Sequence, residues 1–325
     1  MTLSLNLRLE LLMSRRLIVY LMALGTVFLW GASFPLTKIA LAWLGPTTLA
    51  FARWFISAGL LLGWLGARGQ LAAAGQLLCR DGRTIAWMAF TGITLFCFLE
   101  NLAMQYTTAI NAGVLANLTS VFMVLIGVAR FHEILAPLEW LALVVAFLGA
   151  ILVSQGSGHL TLAGPGLRGD VLMVVGSFFG AIYSIGGKQL VRRHAAEVIT
   201  AVGAAVGALF LLPLAVWEVL GNGGAASAAG AVVAGQFFRL PLGAWAALLL
   251  LGMGSGALAN LWWLHILDHT TASRASMTLF LIPVISTAIS VIALHEPLTL
   301  TIVIGAGLVL GGIAATQRER AQKRK

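Results

Sequence analysis

The chain has 325 residues, of which 60% are hydrophobic and only 10% are charged, and its mean hydropathy is +0.97. A water-soluble domain of this length could not bury that much apolar surface, so the composition excludes the soluble globular classes and makes the bilayer the solvent. The net charge is +9, but the Lys and Arg residues lie in short loops and at the termini. No nucleic-acid partner is therefore expected.

The sequence contains two cysteines, Cys79 and Cys97. We place Cys79 in a loop and Cys97 well inside the next apolar span. At a rise of about 1.5 Å per helical residue, the two are too far apart for a disulfide, which needs Cα atoms within roughly 7 Å. The sequence has no spacing typical of metal ligands either, so neither a metal nor a cofactor is expected.

Ten segments are apolar over the length that crosses the hydrocarbon core, which is about 20 helical residues. We number them spans 1 to 10 in chain order. Their predicted ranges are 17–41, 46–66, 84–105, 108–128, 137–154, 170–188, 197–219, 241–263, 272–293 and 299–316. The first is long enough to span the membrane and lacks the short apolar core and cleavage site of a signal peptide.

Span 1 carries a cluster of candidate substrate-binding residues. Trp30, Ser33 and Phe34 are spaced at i, i+3 and i+4, which puts them on one face of a helix. Pro35 removes a backbone hydrogen bond, so one interpretation is a broken helix that presents polar backbone groups to a cavity, and the other is a kinked packing helix. Lys38 lies near the end of this span, where it either snorkels or acts as a gate.

Spans 2 and 3 carry charges inside the membrane. Glu100 is the acid that lies deepest in a span, and such a carboxylate usually faces a cavity or a partner. We predict a proton or substrate-amine site there, with a structural hydrogen bond or snorkelling as the alternative. Asn101 is a further candidate, although it points about 100° away from Glu100. Arg53 either binds a substrate carboxylate through a bidentate fork or holds helix ends together.

Spans 4 and 6 contribute polar side chains at mid-membrane depth, and a further one lies toward the end of span 8. These candidates for substrate binding are Asn117, Thr119, Tyr183, Ser184 and Asn260. Interhelical hydrogen bonds are the ordinary role of such residues, so their case depends on convergence at one cavity. Lys188 in span 6 is a gating or structural charge, like Lys38. Trp262 and Trp263 are predicted to belong to an aromatic belt at the membrane interface.

The second half of the chain repeats landmarks of the first at an offset of 163 residues. The tripeptide Thr-Thr-Ala at 107–109 recurs at 270–272, and the dipeptide His-Glu at 132–133 recurs at 295–296. Because each half has an odd number of spans, the second half must enter the membrane from the opposite side. Secondary transporters use this plan and hold their substrate between the repeats.

We therefore predict an all-α membrane protein with ten transmembrane helices arranged as two inverted five-helix repeats. The predicted boundaries are 1–16 for the N-terminal segment, 17–154 for the first repeat, 155–169 for the linker loop, 170–316 for the second repeat and 317–325 for the basic tail. With both termini in the cytoplasm, fourteen Lys and Arg residues fall on the cytoplasmic side and two, Arg168 and Arg239, on the other. This asymmetry predicts a multi-pass protein of the cell inner membrane with that orientation.

Short motifs in spans 1, 2, 4 and 9 follow one another in a characteristic order. They are Trp30–Phe34 with Lys38, Phe51–Trp54, Ala112–Thr119 and Leu281–Val284. Together they resemble the ten-helix EamA-type members of the drug/metabolite transporter superfamily over about 17–316. The resemblance implies a carrier that exports small metabolites by alternating access, and its known members include aromatic amino-acid exporters. Span 4 departs from the pattern, since it has Ser120 where span 9 has Pro283, which predicts a straighter span 4.

The predicted function is export of small polar or amphipathic metabolites, with amino acids, aromatic ones in particular, as the leading class. The alternatives are a drug, sugar or nucleotide-type exporter of the same fold and, from other classes, a lipid-acting membrane enzyme or a channel. No nucleophile elbow, phosphate loop or pair of catalytic carboxylates occurs in the sequence, so no enzyme activity is expected. The predicted partners are a small-molecule substrate and the lipid bilayer, with the chain as a monomer or weak dimer. Its cavity is expected between spans 1, 3, 4, 6, 8 and 9.

Overall fold

The structure, a computed structural model, describes residues 5–131, 165–221, 240–269 and 279–322, with scattered positions between 137 and 152. Every regular element within these ranges is a helix. Seven of the helices are long and apolar enough to cross a membrane, and those at Ile282–Leu294 and Leu300–Gly312 are shorter apolar helices. The prediction of an all-α membrane protein is confirmed.

The helices follow the predicted spans in order. Their bounds are Leu5–Leu41 for span 1, Pro46–Ala67 for span 2, Leu71–Ala103 for span 3, Ala109–Leu115 with Leu118–Phe131 for span 4, Pro165–Leu190 for span 6, Ala196–Gly221 for span 7, Leu242–His269 for span 8, Leu279–Leu281 with Ile282–Leu294 for span 9, and Leu300–Gln322 for span 10. The prediction of span 5 at 137–154 lies largely outside the described residues.

Hydrogen bonds between helix ends show that the two halves run in opposite directions. The Lys38 Nζ atom at the end of span 1 donates to the carbonyl oxygens of Met104 and Thr107, at 2.6 Å each, just beyond span 3. The Thr107 hydroxyl in turn donates to Asp170 near the start of span 6. Spans 1 and 6 therefore begin at opposite ends of the bundle, as inverted repeats require. We call the end that contains these contacts the Lys38 end.

The opposite end of the bundle is marked by Lys188. Its Nζ atom donates to the Leu267 carbonyl oxygen near the end of span 8. Asp81 of span 3 pairs here with Arg193 and His194, which follow span 6. We call this the Lys188 end. Each lysine thus lies in the first span of its half and binds a carbonyl group at the end of the third span.

The third span of each half also contains a π-helical segment at mid-length. The two segments are Phe90–Leu95 in span 3 and Leu250–Leu258 in span 8. A π turn leaves carbonyl groups outside the regular ladder, and side chains bind several of them: Ser57 Oγ donates to Gly252 O at 2.7 Å, and Asn260 Nδ2 donates to Ser255 O at 2.7 Å. Such segments are frequent at functional sites in proteins.

Glycine makes a close helix contact at the first of these segments. A Cβ atom added to Gly92 would lie 2.1 Å from the Tyr183 Cβ atom of span 6. Gly252 and Gly256 bring span 8 equally close to span 2, where a Cβ at Gly256 would lie 2.2 Å from Ser57 Oγ. The glycine run in span 8 is thus a packing surface, as expected for a glycine-rich run inside a span.

Three local predictions were wrong. Cys79 lies in a helix rather than a loop, because 71–81 is amphipathic and buries Ala74 and Leu77 while Cys79 stays exposed. Of the two interpretations of Pro35, the broken helix is excluded and the packing helix stands, because span 1 is one continuous helix through Pro35, as a helix inside a bundle tolerates the missing bond. The belt assignment of Trp263 also fails, as described below.

Span 4 is not straighter than span 9. Its helix stops at Leu115 and resumes at Leu118, although no proline is present. The Asn117 side chain lies at the interruption and donates from Nδ2 to Gly113 O at 3.1 Å. An asparagine that bonds its own backbone competes with the helical ladder, and this interrupts the helix without a proline.

Candidate substrate cavity

A cavity lies in the middle of the bundle between the two halves of the chain. It contains about 800 Å³ of unfilled space, counting the part that opens to its surroundings. Spans 1, 3, 4, 6, 8 and 9 line it, as expected, and span 2 contributes as well. The lining residues are Trp30, Ser33, Phe34, Arg53, Trp54, Gly92, Phe96, Cys97, Glu100, Ala116, Asn117, Thr119, Ser120, Gly180, Tyr183, Ser184, Asn260, Trp263, Leu279 and Ile282.

The structure brings nine of the ten predicted substrate-binding residues to this cavity. They are Trp30, Ser33, Phe34, Glu100, Asn117, Thr119, Tyr183, Ser184 and Asn260. Asn101, the tenth, is buried but does not line the cavity. Its Nδ2 atom donates to the Pro46 carbonyl oxygen at 2.9 Å, so it joins span 3 to the start of span 2 and does not contact the cavity.

Arg53 and Glu100 form a buried ion pair in the cavity wall. The Arg53 Nη1 atom lies 3.8 Å from Glu100 Oε2, and the two side chains are 5% and 2% exposed. This separation is an ion-pair distance but too long for a hydrogen bond. Both side chains point inward from neighbouring helices, spans 2 and 3, and they are the charged groups among the lining residues that the structure describes.

Several polar atoms of the lining have no hydrogen-bond partner among the described residues. They are Nε and Nη1 of Arg53, Oε2 of Glu100, Oδ1 of Asn117, Oγ of Ser120 and Nε1 of Trp263. Buried polar groups in proteins are nearly always bonded, so a cluster of unbonded ones around a cavity indicates a place for a polar ligand or water.

Aromatic rings form much of the remaining wall. The Trp30 and Trp263 rings lie with their centroids 5.4 Å apart at an interplanar angle of 57°. Trp54 donates from Nε1 to the Cys97 Sγ atom at 3.1 Å, and its ring lies 5.8 Å from the Arg53 guanidinium carbon. Phe34, Phe96 and Tyr183 complete this apolar surface. Such a wall suits an aromatic or aliphatic group on a ligand.

A hydrogen-bonded chain fixes the polar side chains of the second half. The Tyr183 hydroxyl donates to Asn260 Oδ1 at 3.2 Å, which orients the asparagine so that its Nδ2 faces the Ser255 and Gly256 carbonyl oxygens. Trp30 Nε1 donates to the same Ser255 oxygen at 3.3 Å. The π segment of span 8 therefore holds span 1 of the opposite half against the cavity.

Trp263 is the clearest residue that sequence reasoning missed. It was assigned to an interfacial belt because span 8 was expected to end at residue 263, but the helix continues to His269. Trp263 consequently lies about 9 Å inside the helix end at 1.5 Å per residue, and it is 1% exposed. Trp54, Phe96, Cys97 and Ser120 were also missed. Phe96 and Cys97 lie four and three residues before Glu100, and Ser120 lies three after Asn117, so helical spacing is the signal that could have found these three; no such spacing indicates Trp54, which is adjacent to Arg53.

Lys38 and Lys188 do not line the cavity. They lie beyond it, one at each end of the bundle, where they bind the carbonyl groups described above. Lysines at these positions bridge the first and third spans of each half, so they satisfy helix ends and do not face a bound ligand.

Two glutamates outside the cavity bind helix N-termini at the Lys38 end. Glu296 accepts hydrogen bonds from the backbone nitrogens of Ala109 and Ile110 at 2.8 and 3.0 Å. Glu218 accepts from the backbone nitrogens of Thr47 and Thr48 at 3.2 and 2.8 Å. Carboxylates are stabilising at these positions because the first N–H groups of a helix have no partner within it.

The EamA-like transporter family matches the chain twice, over residues 17–155 and 167–317. The chain belongs to this family, and it is a multi-pass membrane transporter whose partners are a small-molecule substrate and the lipid bilayer.

Several curated proteins are similar along nearly their whole length. An uncharacterized transporter of Archaeoglobus fulgidus is 27% identical over 298 residues, which is 91% of this chain and 96% of the relative. The uncharacterized transporter YvbV of Bacillus subtilis is 28% identical over 313 residues, which is 91% of each chain. A solved crystal structure matches with a TM-score of 0.61 at 17% identity, covering 94% of this chain and 99% of the other, and this likeness concerns the fold alone.

Proposed function

We propose that this transporter exports amino acids with apolar or aromatic side chains across the cell inner membrane by alternating access. The observation that carries the proposal is the composition of the cavity wall, in which one buried ion pair faces a surface of aromatic rings. A small molecule with a charged head and an apolar side chain matches such a wall, because the ion pair can bind the charged head while the aromatic rings contact the apolar side chain.

The same wall argues against the other substrate classes of the fold. A nucleotide or sugar phosphate carries at least two negative charges, whereas Arg53 is the one cation among the described lining residues. A sugar needs hydrogen bonds around its whole ring, but large parts of this wall are indole and phenyl surface. A lipid-acting enzyme would need a nucleophile with a base or two facing acids, and Glu100 has no second acid beside it in the described lining.

The proposed direction and orientation depend on the charges of the loops. The excess of Lys and Arg on one side favours cytoplasmic termini, which puts the Lys38 end outside the cell and the Lys188 end in the cytoplasm. Alternating access would then open the cavity first at one of these ends and then at the other, as the two halves rock about it.

Counterflow in proteoliposomes tests the proposal. Vesicles are preloaded with one unlabelled amino acid at a time, and labelled amino acid is added outside without any imposed gradient. We expect transient accumulation of the label for phenylalanine, tryptophan, leucine or a similar amino acid, because a carrier exchanges its two sides through one site. A channel would equilibrate the label without accumulation, and no flux for any amino acid would refute the proposal.

A further inference from the structure

We propose that Arg53 and Glu100 together form a receptor for a zwitterionic α-amino acid head group, with the substrate carboxylate on Arg53 and the substrate ammonium on Glu100. The inference rests on the proposed function and adds to it the side chain that binds each charge of the amino acid, together with a preference for α-amino acids. It also gives the pair a second role: when no substrate is bound, Arg53 and Glu100 neutralise each other's charge.

The Arg53–Glu100 pair leaves part of its hydrogen-bonding capacity unused. Arg53 Nη1 and Glu100 Oε2 face each other at 3.8 Å, and neither of these atoms nor Arg53 Nε has a hydrogen-bond partner among the described residues. A guanidinium group is the preferred partner of a carboxylate, and a carboxylate is a strong acceptor for an ammonium group. The pair therefore offers one donor site and one acceptor site to the cavity.

The second step concerns spacing. The ammonium and carboxylate groups of an α-amino acid are attached to a single carbon, so their charges lie close together. The two protein charges are similarly close, at 3.8 Å. A molecule whose charges are separated by several methylene groups could not reach both partners while its chain lies against the aromatic wall. The receptor should therefore favour α-amino acids over ω-amino acids.

The third step concerns net charge in a buried site. A charge that is taken out of water without a partner is expensive, whereas a matched pair is tolerated. The described lining has one positive and one negative side chain, so its net charge is zero. A zwitterion leaves that sum unchanged and gives each protein charge a partner. An amine or a carboxylic acid alone would leave one protein charge uncompensated.

The same balance holds when the site is empty, because Arg53 and Glu100 are then each other's counter-ion. Both the empty and the loaded carrier can therefore change conformation without moving net charge across the membrane. Moving one uncompensated charge would make the rate depend on the membrane potential. We expect net transport of the amino acid without an exchange partner, and a rate that does not depend on the membrane potential.

The test compares three probes in proteoliposomes: phenylalanine, phenethylamine, which lacks the carboxylate, and 3-phenylpropionate, which lacks the ammonium group. Each competes with labelled phenylalanine for uptake by the unmodified carrier. We expect each singly charged analogue to compete about tenfold to a hundredfold more weakly than phenylalanine, which corresponds to one lost charge-assisted bond. Equal competition by all three would overturn the receptor, while flux of phenylalanine would still uphold the proposed function.

Two single variants give a reversal that a structural role would not produce. Glu100→Gln leaves Arg53 alone, so preference should move toward 3-phenylpropionate. Arg53→Gln leaves Glu100 alone, so preference should move toward phenethylamine. Asn101→Ala is the matched control, because Asn101 is adjacent to Glu100 but bonds Pro46 outside the cavity, and it should keep the preference for phenylalanine.

The conservative variants Arg53→Lys and Glu100→Asp control for folding at the same two positions. They keep each charge, so they should keep the order of preference among the three probes. Loss of preference without reversal in both charge-removing variants would overturn the receptor. If no amino acid is transported by the unmodified carrier, the proposed function fails and the receptor fails with it. Flux without discrimination among the three probes refutes the receptor alone.

Discussion

The two ends of the molecule use the same lysine contact but surround it differently. At the Lys38 end, Glu218 and Glu296 bind the first N–H groups of spans 2 and 4. At the Lys188 end, described ion pairs join Asp81 to Arg193 and His194, and Asp268 to His269. The Arg193 side chain is 72% exposed and those of Asp268 and His269 are about half exposed, whereas those of Asp81 and His194 are 13% and 12% exposed. Exposed pairs contribute little and are screened by salt, whereas carboxylates on helix termini satisfy groups that have no other partner.

The two ends of an inverted repeat can therefore share the contacts that the repeat supplies and still differ in the free energy that holds each end closed. Both lysines link the first and third spans of their own half, so this contact occurs once in each repeat. No counterpart of Glu218 is among the described contacts of the Lys188 end, whereas Glu296 is the repeat partner of Glu133, which lies outside the described residues. We therefore expect the described contacts to make the Lys38 end more costly to open than the Lys188 end, and four predictions test this expectation.

The largest effect is expected for Glu218→Ala. The change removes the acceptor for the Thr47 and Thr48 nitrogens and for the Thr48 hydroxyl, which lies 2.7 Å away. Charge-assisted hydrogen bonds of this kind suggest a loss of about 2–4 kcal/mol in the free energy of unfolding. Denaturant unfolding in detergent measures it, with Glu218→Gln as an intermediate control. A stability equal to that of the parent would remove the basis for a stronger Lys38 end.

A smaller loss of stability is expected for a change in the middle of the molecule, at the contact between spans 3 and 6, which belongs to neither end. Gly92→Ala places a methyl group 2.1 Å from the Tyr183 Cβ atom, so spans 3 and 6 must separate. Overpacking of this kind costs about 1–3 kcal/mol. Gly59→Ala is the matched control because nothing lies within 4 Å of its Cβ position, and it should be neutral or slightly stabilising. Similar unfolding midpoints for the two variants would contradict the close packing.

The two lysines allow the comparison to be made in one experiment. Lys38→Met removes the donor to Met104 and Thr107, and Lys188→Met removes the donor to Leu267. A membrane-impermeant thiol reagent then reports access to Cys97 in the cavity, in a Cys79→Ser background. We expect Lys38→Met to raise labelling from the Lys38 side about tenfold, the result of a shift near 1.4 kcal/mol, and Lys188→Met to raise it from the other side. Equal labelling from both sides in both variants would show that neither lysine holds an end closed.

The smallest effect is expected for Asp81→Asn. This variant removes the charge that pairs with Arg193 and His194. The Arg193 side chain is 72% exposed, so water and salt already screen that pair, and the asparagine amide can still hydrogen-bond the His194 ring, which is 12% exposed. We expect an unfolding midpoint within experimental error of the parent, and less difference still in high salt. A loss of stability as large as that caused by Glu218→Ala would show that the two ends contribute equally and would contradict a stronger Lys38 end.

The sequence predicted the cavity better than it predicted the helix ends. Glu100, Tyr183 and Asn260 were found because a polar side chain within a span has few environments available except a cavity or a partner helix. Trp263 was missed because its distance from the helix end decided its environment, and a π segment followed by a longer helix changed that distance. Local pattern carries no direct information on where a helix in a bundle stops.

The contacts at the Lys38 end could not be predicted for a related reason. Glu218 and Glu296 lie far in sequence from the helix starts that they bind, at 47–48 and 109–110. Only the packing of spans 2 and 7, and of spans 4 and 9, brings them there. Asn101 illustrates the opposite case, since its angle from Glu100 on the helix already indicated that the two residues face different surroundings.

If the proposal is right, the transported molecule occupies the cavity between the two halves. Cys97 lines that cavity and is 1% exposed, so the rate at which a small thiol reagent labels it in a Cys79→Ser carrier reports occupancy directly. We predict that the amino acid that gives counterflow slows this labelling, in the concentration range that saturates transport, and that 3-phenylpropionate does so only at much higher concentration. Transport that saturates while the labelling rate of Cys97 stays constant would contradict the account.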